Sequence, residues 1–170
     1  MDLALRLAET RGADLVIAND PDADRAAFAI PVPADRAQGV GRISPVAPDW
    51  RILRGDEVGA ILGQVMLERI PAGQAESSAF ATSIVSSRLL GAMAAARGVR
   101  HVQTLTGFKW ISRVPGLVYG YEEALGYCVA PQLARDKDGI SAAVLLADYA
   151  DRLKGQGRTL LDVCLLYTSP

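Results

Sequence analysis

The chain has 170 residues, half of them hydrophobic and 22% charged, which suits one sizeable globular domain or one domain plus part of another. A formal net charge of −1 gives no electrostatic reason for a nucleic-acid or membrane partner, and two cysteines, Cys128 and Cys164, are too few for a disulfide framework or a zinc cluster. Apolar runs stop well short of the roughly 18 residues of a membrane span, and the N-terminus has no signal-peptide pattern, so the expected location is the cytoplasm.

Leu3, Leu7 and the alanines between them suit an amphipathic first helix, with Gly12 as its C-terminal stop. "ADLVIA" (13–18) reads as a buried strand, "NDPDADR" as the loop after it, and "RAAFAIPV" as a second strand. Residues 34–50 are rich in Gly, Pro and charge and are expected to form a hairpin or an inter-domain connection. From Arg51 a new unit is read. "GDEVGAILGQVMLERI" places Val58, Ile61, Leu62, Val65 and Met66 on one helical face, with acids at its start. "AFATSIV" reads as a strand, "SSRLLGAMAAARG" as a helix ending at Gly98, "VRHVQTL" as a strand and "TGFKW" as a turn. "LVYGY" is a short strand running into "EEALG". Asp138 to Leu153 form a last helix, with Ile140, Val144, Ala147 and the neighbouring leucines on its buried side. The alternation predicts an α/β fold of three α/β/α layers around a mixed, mostly parallel sheet.

Four loops carry chemistry. Asp20, Asp22 and Asp24 follow the first strand on alternate positions, so an extended loop projects all three carboxylates one way. Convergence is costly without a cation, and a hard divalent ion with oxygen ligands removes that cost. A calcium helix-loop-helix is excluded, because its sixth and twelfth positions hold Arg25 and Pro31 instead of Gly and Glu. A strand followed by D-x-D also begins haloacid-dehalogenase-type phosphatases, though Asp24 stands where they usually carry Thr or Val. A solvated acidic turn is the structural alternative. In "TLTGFKW", Thr106 and Gly107 offer a hydroxyl and an unobstructed N–H, and Lys109 a point charge suited to phosphate. "YGYEEALGY" places Glu122 and Glu123 after a strand between glycines, and "RDKDGISAA" gathers Arg135 and Lys137 ahead of a helix with Asp138 as N-cap. By themselves these three loops are equally what ordinary turns and helix starts look like. His101 and Cys128 are read as structural.

In this order the loops resemble the α-D-phosphohexomutase superfamily: the phosphoglucomutase, phosphomannomutase and phosphopentomutase enzymes. "TLTGFKWI", "GYEEALGY" and "RDKDGISAA" are most similar to the phosphoglucomutase-2-type and phosphopentomutase branch. The resemblance covers roughly residues 1–160. It implies an isomerase that transfers phosphate between sugar positions through a phosphoserine and a bisphosphorylated intermediate. It further implies that Asp20, Asp22 and Asp24 bind Mg2+, with Arg25 near the phosphates. Thr106, Gly107, Lys109, Glu122, Glu123 and Arg135 would bind the phosphosugar, and Lys137 would assist at the phosphoryl group or in proton transfer. Ala124 stands where many hexomutases have Ser, which leaves pentose phosphates open.

The resemblance also implies a partial chain. Residues 1–45 are expected to be the end of a truncated second domain, 46–155 a complete sugar-recognition third domain, and 156–170 a linker into a fourth, with "DVCLLYTSP" as foreign sequence. The nucleophile serine and the distal phosphate loop would lie on first and fourth domains outside the chain, leaving it inactive alone. Two alternatives stand beside this reading: an aspartyl-phosphate phosphatase with Asp20 as nucleophile, and a non-catalytic sugar-phosphate binding module.

Overall fold

The computed structural model describes residues 1–33, 36 and 47–168. The hairpin or connection expected over 34–50 therefore lies largely outside the described residues. Helix α1 (Asp2–Arg11) ends at Gly12, whose left-handed φ of 59° lets its N–H reach the carbonyls of Ala8 and Glu9. Leu5 and Ala8 form its buried face; Leu3 and Leu7, expected to define that face, are 84% and 57% exposed. Strands β1 (Val16–Asn19), β2 (Ala26–Pro31) and β3 (Trp50–Ile52) form an antiparallel sheet in that order. β3 lies beyond the expected boundary at residue 45, yet it pairs with β2.

The second sheet has the order β5-β4-β6-β7, from β4 (Ala79–Ser83), β5 (Arg100–Thr104), β6 (Leu117–Glu122) and β7 (Gly126–Cys128). β4 runs parallel to β5 and β6, whereas β7 returns antiparallel along β6. Helices α2 (Gly55–Arg69), α3 (Leu89–Ala95) and α5 (Gly139–Gly155) share one face of this sheet with Phe80, Tyr119, Tyr121 and Tyr127. The short α4 (Phe108–Ile111) packs on the other face with Ala79, Ala81, Leu117 and Cys128. The fold is thus α/β with a mixed sheet between helical layers. Tyr119 and Tyr121 alternate onto the α2 side of β6, and a register shift between Ala79/Leu117 and Phe80/Tyr119 leaves Leu117 on the opposite face.

The two sheets share one core. Ala26, Phe28 and Ile30 of β2 pack in the same cluster as α2 and α5, with the Phe28 and Tyr127 rings 6.3 Å apart. On α2, Val58, Ile61, Leu62 and Val65 are buried as their spacing predicts, and Met66 packs partly buried beside them. On α5 the expectation holds for the leucines, with Leu145, Leu146 and Leu153 buried, and fails for Ile140 and Val144. Ile140 and Val144 are 60% and 66% exposed, and the buried stripe is Ala142, Leu145, Leu146, Tyr149 and Leu153. Residues 156–170, expected as a linker with a foreign end, contain helix α6 (Leu160–Thr168), which buries Leu160, Leu161, Val163 and Cys164. Among the described residues no helix is long and apolar enough to cross a membrane.

Candidate functional site

β1 ends at Asn19 and the chain turns at once. The Ala23 N–H donates to the Asp20 carbonyl at 3.0 Å, and Ala23 takes a left-handed φ of 56°, which costs a non-glycine residue about 1 kcal/mol. The loop is therefore a turn, not the extended segment read from alternation. The three carboxylates still converge, because one oxygen from each of Asp20, Asp22 and Asp24 lies within 4.8 Å of the others. An octahedral oxygen shell at about 2.1 Å spans about 4.2 Å between opposite ligands. The donor set and spacing therefore fit a hard divalent cation after a small inward rotation of the side chains.

Arg25 closes the turn. Its Nε donates to Asp20 Oδ2 at 2.6 Å, its backbone N–H donates to Asp20 Oδ1 at 3.1 Å, and Nε lies 3.5 Å from Asp24 Oδ1. Partial desolvation pushes the Asp20 carboxyl up, but the Arg25 N–H and guanidinium outweigh it and hold the carboxyl below its usual range. The Asn19 side chain donates to the Arg25 carbonyl at 2.9 Å, and the Gly139 N–H donates to the Ala23 carbonyl at 3.0 Å.

The turn joins the loop after β6. Arg25 forms an antiparallel bridge with Gly126, and the Ala26 N–H donates to the Leu125 carbonyl at 3.2 Å. Leu125, like Ala23, is left-handed, with φ 67°. Lys137 arrives from the chain after β7 and places Nζ 3.0 Å from Asp24 Oδ2 and 5.7 Å from the centre of the Phe108 ring. Partial burial lowers its pKa, and the hydrogen bond and charge of Asp24 raise it further than burial lowers it.

The two adjacent glutamates diverge. Glu122 Oε1 accepts the Gly107 N–H at 2.6 Å, tying the β6 loop to the start of α4. Glu123 turns inward, and its Oε2 accepts from the hydroxyls of Ser83 and Ser86 at 2.8 and 2.9 Å. Burial raises the Glu123 carboxyl, while the two serines and its own N–H bring it net below its usual value. Asp56, at the start of α2, accepts from the Tyr121 hydroxyl at 2.8 Å and the Ser87 N–H at 2.7 Å.

The structure thus gathers Asp20, Asp22, Asp24, Arg25 and Lys137 at one mouth, with Gly107 and Glu122 alongside. Thr106 is exposed next to them. Lys109 lies on the outer side of α4, its Nζ 5.6 Å from the Trp110 ring. Arg135 is not at this mouth. Its Nη2 is 3.5 Å from the Val114 carbonyl, and it lines a cavity of about 600 Å³ with Met66, Arg69 and Leu117. Gly126 is one of the two glycines that bracket the Glu122 loop in the sequence, whereas nothing in the sequence singles out Ser83, Ser86 or the Phe108 ring as parts of the arrangement. The structural reading of His101 fits its contact with Thr82 Oγ1 at 3.1 Å, and burial pushes the Cys128 thiol up to about 11.

Residues 54–167 match the family described as Phosphoglucomutase/phosphomannomutase, alpha/beta/alpha domain III. The chain is 44% identical over 162 residues to a probable phosphomannomutase of Haemophilus influenzae, covering 95% of this chain and 30% of that protein. It is 35% identical over 173 residues to the human phosphopentomutase, covering 94% of this chain and 26% of the relative. The solved structure of a putative phosphomannomutase from Thermus thermophilus superposes with a TM-score of 0.69 at 19% identity. That superposition covers 98% of this chain and 34% of the other, and it speaks for the fold alone. The chain therefore spans less than a third of the length of these curated relatives.

Proposed function

The chain belongs to the phosphoglucomutase/phosphomannomutase family, and from that premise we propose that it carries the metal loop and the sugar-recognition loop of a phosphosugar mutase. The observation that supports this reading is the junction itself: a convergent carboxylate triad bridged through Arg25 and Gly126 to the loop that presents Glu122. Asp20, Asp22 and Asp24 would hold Mg2+, which neutralises phosphoryl charge and orients the phosphate for in-line transfer.

The residues around the ion supply positioning. Arg25 keeps Asp20 ionised and directs its remaining N–H donors to phosphate oxygens. The Glu122 carboxylate accepts from adjacent sugar hydroxyls, and its bond to the Gly107 N–H holds its rotamer. Glu123 supports the loop from below through Ser83 and Ser86. Thr106 and Lys109 line the outer approach of the sugar phosphate. Lys137 donates to the migrating phosphoryl group and is the group placed to hand a proton to the leaving oxygen.

In the complete enzyme a phosphoserine on another domain would donate to the free hydroxyl of the substrate. The bisphosphorylated sugar would then reorient and return its other phosphate. This chain alone would bind a phosphosugar without turning it over. Ala124 in place of a hydroxyl side chain leaves both pentose and hexose phosphates as substrates, the classes that human phosphopentomutase and the Haemophilus influenzae probable phosphomannomutase carry in their names. The complete enzyme would then act in the cytoplasm, in carbohydrate metabolism.

Amide NMR of the chain titrated with ribose 1-phosphate and glucose 1-phosphate tests this. Shifts at Gly107, Glu122 and Lys137 are expected with Mg2+ present, and they should vanish in Glu122→Gln. Shifts confined to other surfaces would contradict the proposal. A stable beryllofluoride adduct on Asp20 would instead support the aspartyl-phosphate alternative.

A further inference from the structure

We propose that Lys137 is a built-in counter-cation of the acidic turn, occupying Asp24 until a divalent cation displaces it. The inference rests on the metal reading above and concerns what this chain does before and during cation entry.

The two cations of the turn are held differently. Arg25 is fixed: its backbone N–H and its Nε both bind Asp20, and its carbonyl accepts from Asn19. Lys137 reaches Asp24 only through the end of a flexible side chain, at 3.0 Å. Its path is shaped by Gly126. A Cβ at that position would sit 2.4 Å from Lys137 Cδ and 2.9 Å from Cγ, so the lysine stem lies flat across a glycine that is itself bridged to Arg25. Phe108 faces the ammonium, and Asp136 Oδ1 is 3.9 Å away.

The consequence is electrostatic. Three carboxylates beside two cations leave a single residual negative charge, which lets the turn fold without metal. A divalent ion needs an oxygen of Asp24; Oδ1 lies 3.5 Å from the anchored Arg25 Nε and Oδ2 carries the Lys137 ammonium, so an ion bound to this carboxylate meets Lys137 at a distance where two cations repel strongly. Cation entry therefore expels the ammonium, while Arg25, anchored through its backbone, stays. The released Lys137 swings on its stem over Gly126 to the Glu122 side of the mouth. Metal occupancy and a free ammonium become a single event.

Electron paramagnetic resonance of Mn2+ binding to the chain, to Lys137→Met and to Lys137→Arg tests the competition, with circular dichroism confirming that each variant is folded. Lys137→Met is expected to bind Mn2+ roughly twofold to fivefold tighter, as removal of one competing, partly exposed ion pair requires, with Lys137→Arg close to wild type. Equal or weaker binding by Lys137→Met, with wild type binding normally, would overturn the inference and leave the metal reading intact. A wild-type chain that binds no Mn2+ would overturn both. A measurement independent of any variant uses the wild-type chain with 13C-dimethylated lysines. The Lys137 signal should move to the free-lysine position on saturation with Mg2+, and a signal that does not move would equally overturn the inference.

Discussion

Glu122 and Glu123 are consecutive and chemically identical, yet their surroundings separate them. Glu122 meets a backbone N–H at the mouth of the site, whereas Glu123 is clamped by two hydroxyls, one from the last residue of β4 and one from the loop after it. "YEEALGY" identifies both acids but not this division, because the serines lie 40 and 37 residues away in sequence. The same holds for Lys137 and Asp24, whose pairing depends on the fold. The Glu123 carboxyl is depressed below its ordinary value of 4.5. Its contribution to stability is therefore present above pH 4.5 and is lost as pH falls through the depressed folded value. Ser83→Ala is expected to move the Glu123 titration upward towards 4.5, read from its carboxyl 13C shift. At neutral pH the same change should cost about 1 kcal/mol, the net worth of a hydrogen bond. A Glu123 titration unchanged in that variant would show that the serine does not hold it.

At the scale of elements, the site exists because loops approach one another closely enough to share backbone bonds. Gly139 is the point where α5 comes up against the backbone of the acidic turn. A Cβ there would sit 2.5 Å from Asn19 Nδ2 and 2.6 Å from the Arg25 carbonyl oxygen, and its N–H holds the Ala23 carbonyl. Gly139→Ala should destabilise the chain by about 1–3 kcal/mol, a fall in melting temperature of roughly 3–10 °C, and should weaken cation binding as well. A variant that melts like wild type would mean that the turn does not lean on α5. The long elements were readable because their periodicity is strong: α2 buries the predicted face, and Asp138 caps α5 through the Ile140 and Ser141 N–H groups. The three residues of β3 and of β7 and the four of α4 are too short to show a period. On α5 two apolar stripes compete on opposite sides. The one bearing Leu146, Tyr149 and Leu153 is buried because it offers the larger apolar area to the shared core.

Across the whole molecule, the division read from the sequence near residue 45 is crossed by packing. β3 pairs with β2, the β2 face joins the core of α2 and α5, and buried Arg51 of β3 pairs with buried Glu57 of α2. Arg51 Nη1 has no hydrogen-bond partner among the described residues, so its charge depends on Glu57. Glu57→Leu, which strands that cation, should cost about 3 kcal/mol, and adding Arg51→Leu should restore at least half of it in thermal unfolding. A double variant no better than the single one would show that the pair is not what couples β3 to α2. The packing between the two sheets holds the acidic turn against the Glu122 loop, so that the two loops form a single composite site. Calorimetric titration of Mg2+ into the wild-type chain and into Asp22→Asn measures whether the aspartates hold the ion there, because Asp22 is exposed and its replacement spares the fold. One bound ion is expected in wild type, with affinity lower by roughly tenfold or more in the variant at unchanged melting temperature. Equal affinity in the two proteins, or no specific binding in either, would contradict the assignment of the ion to the aspartates.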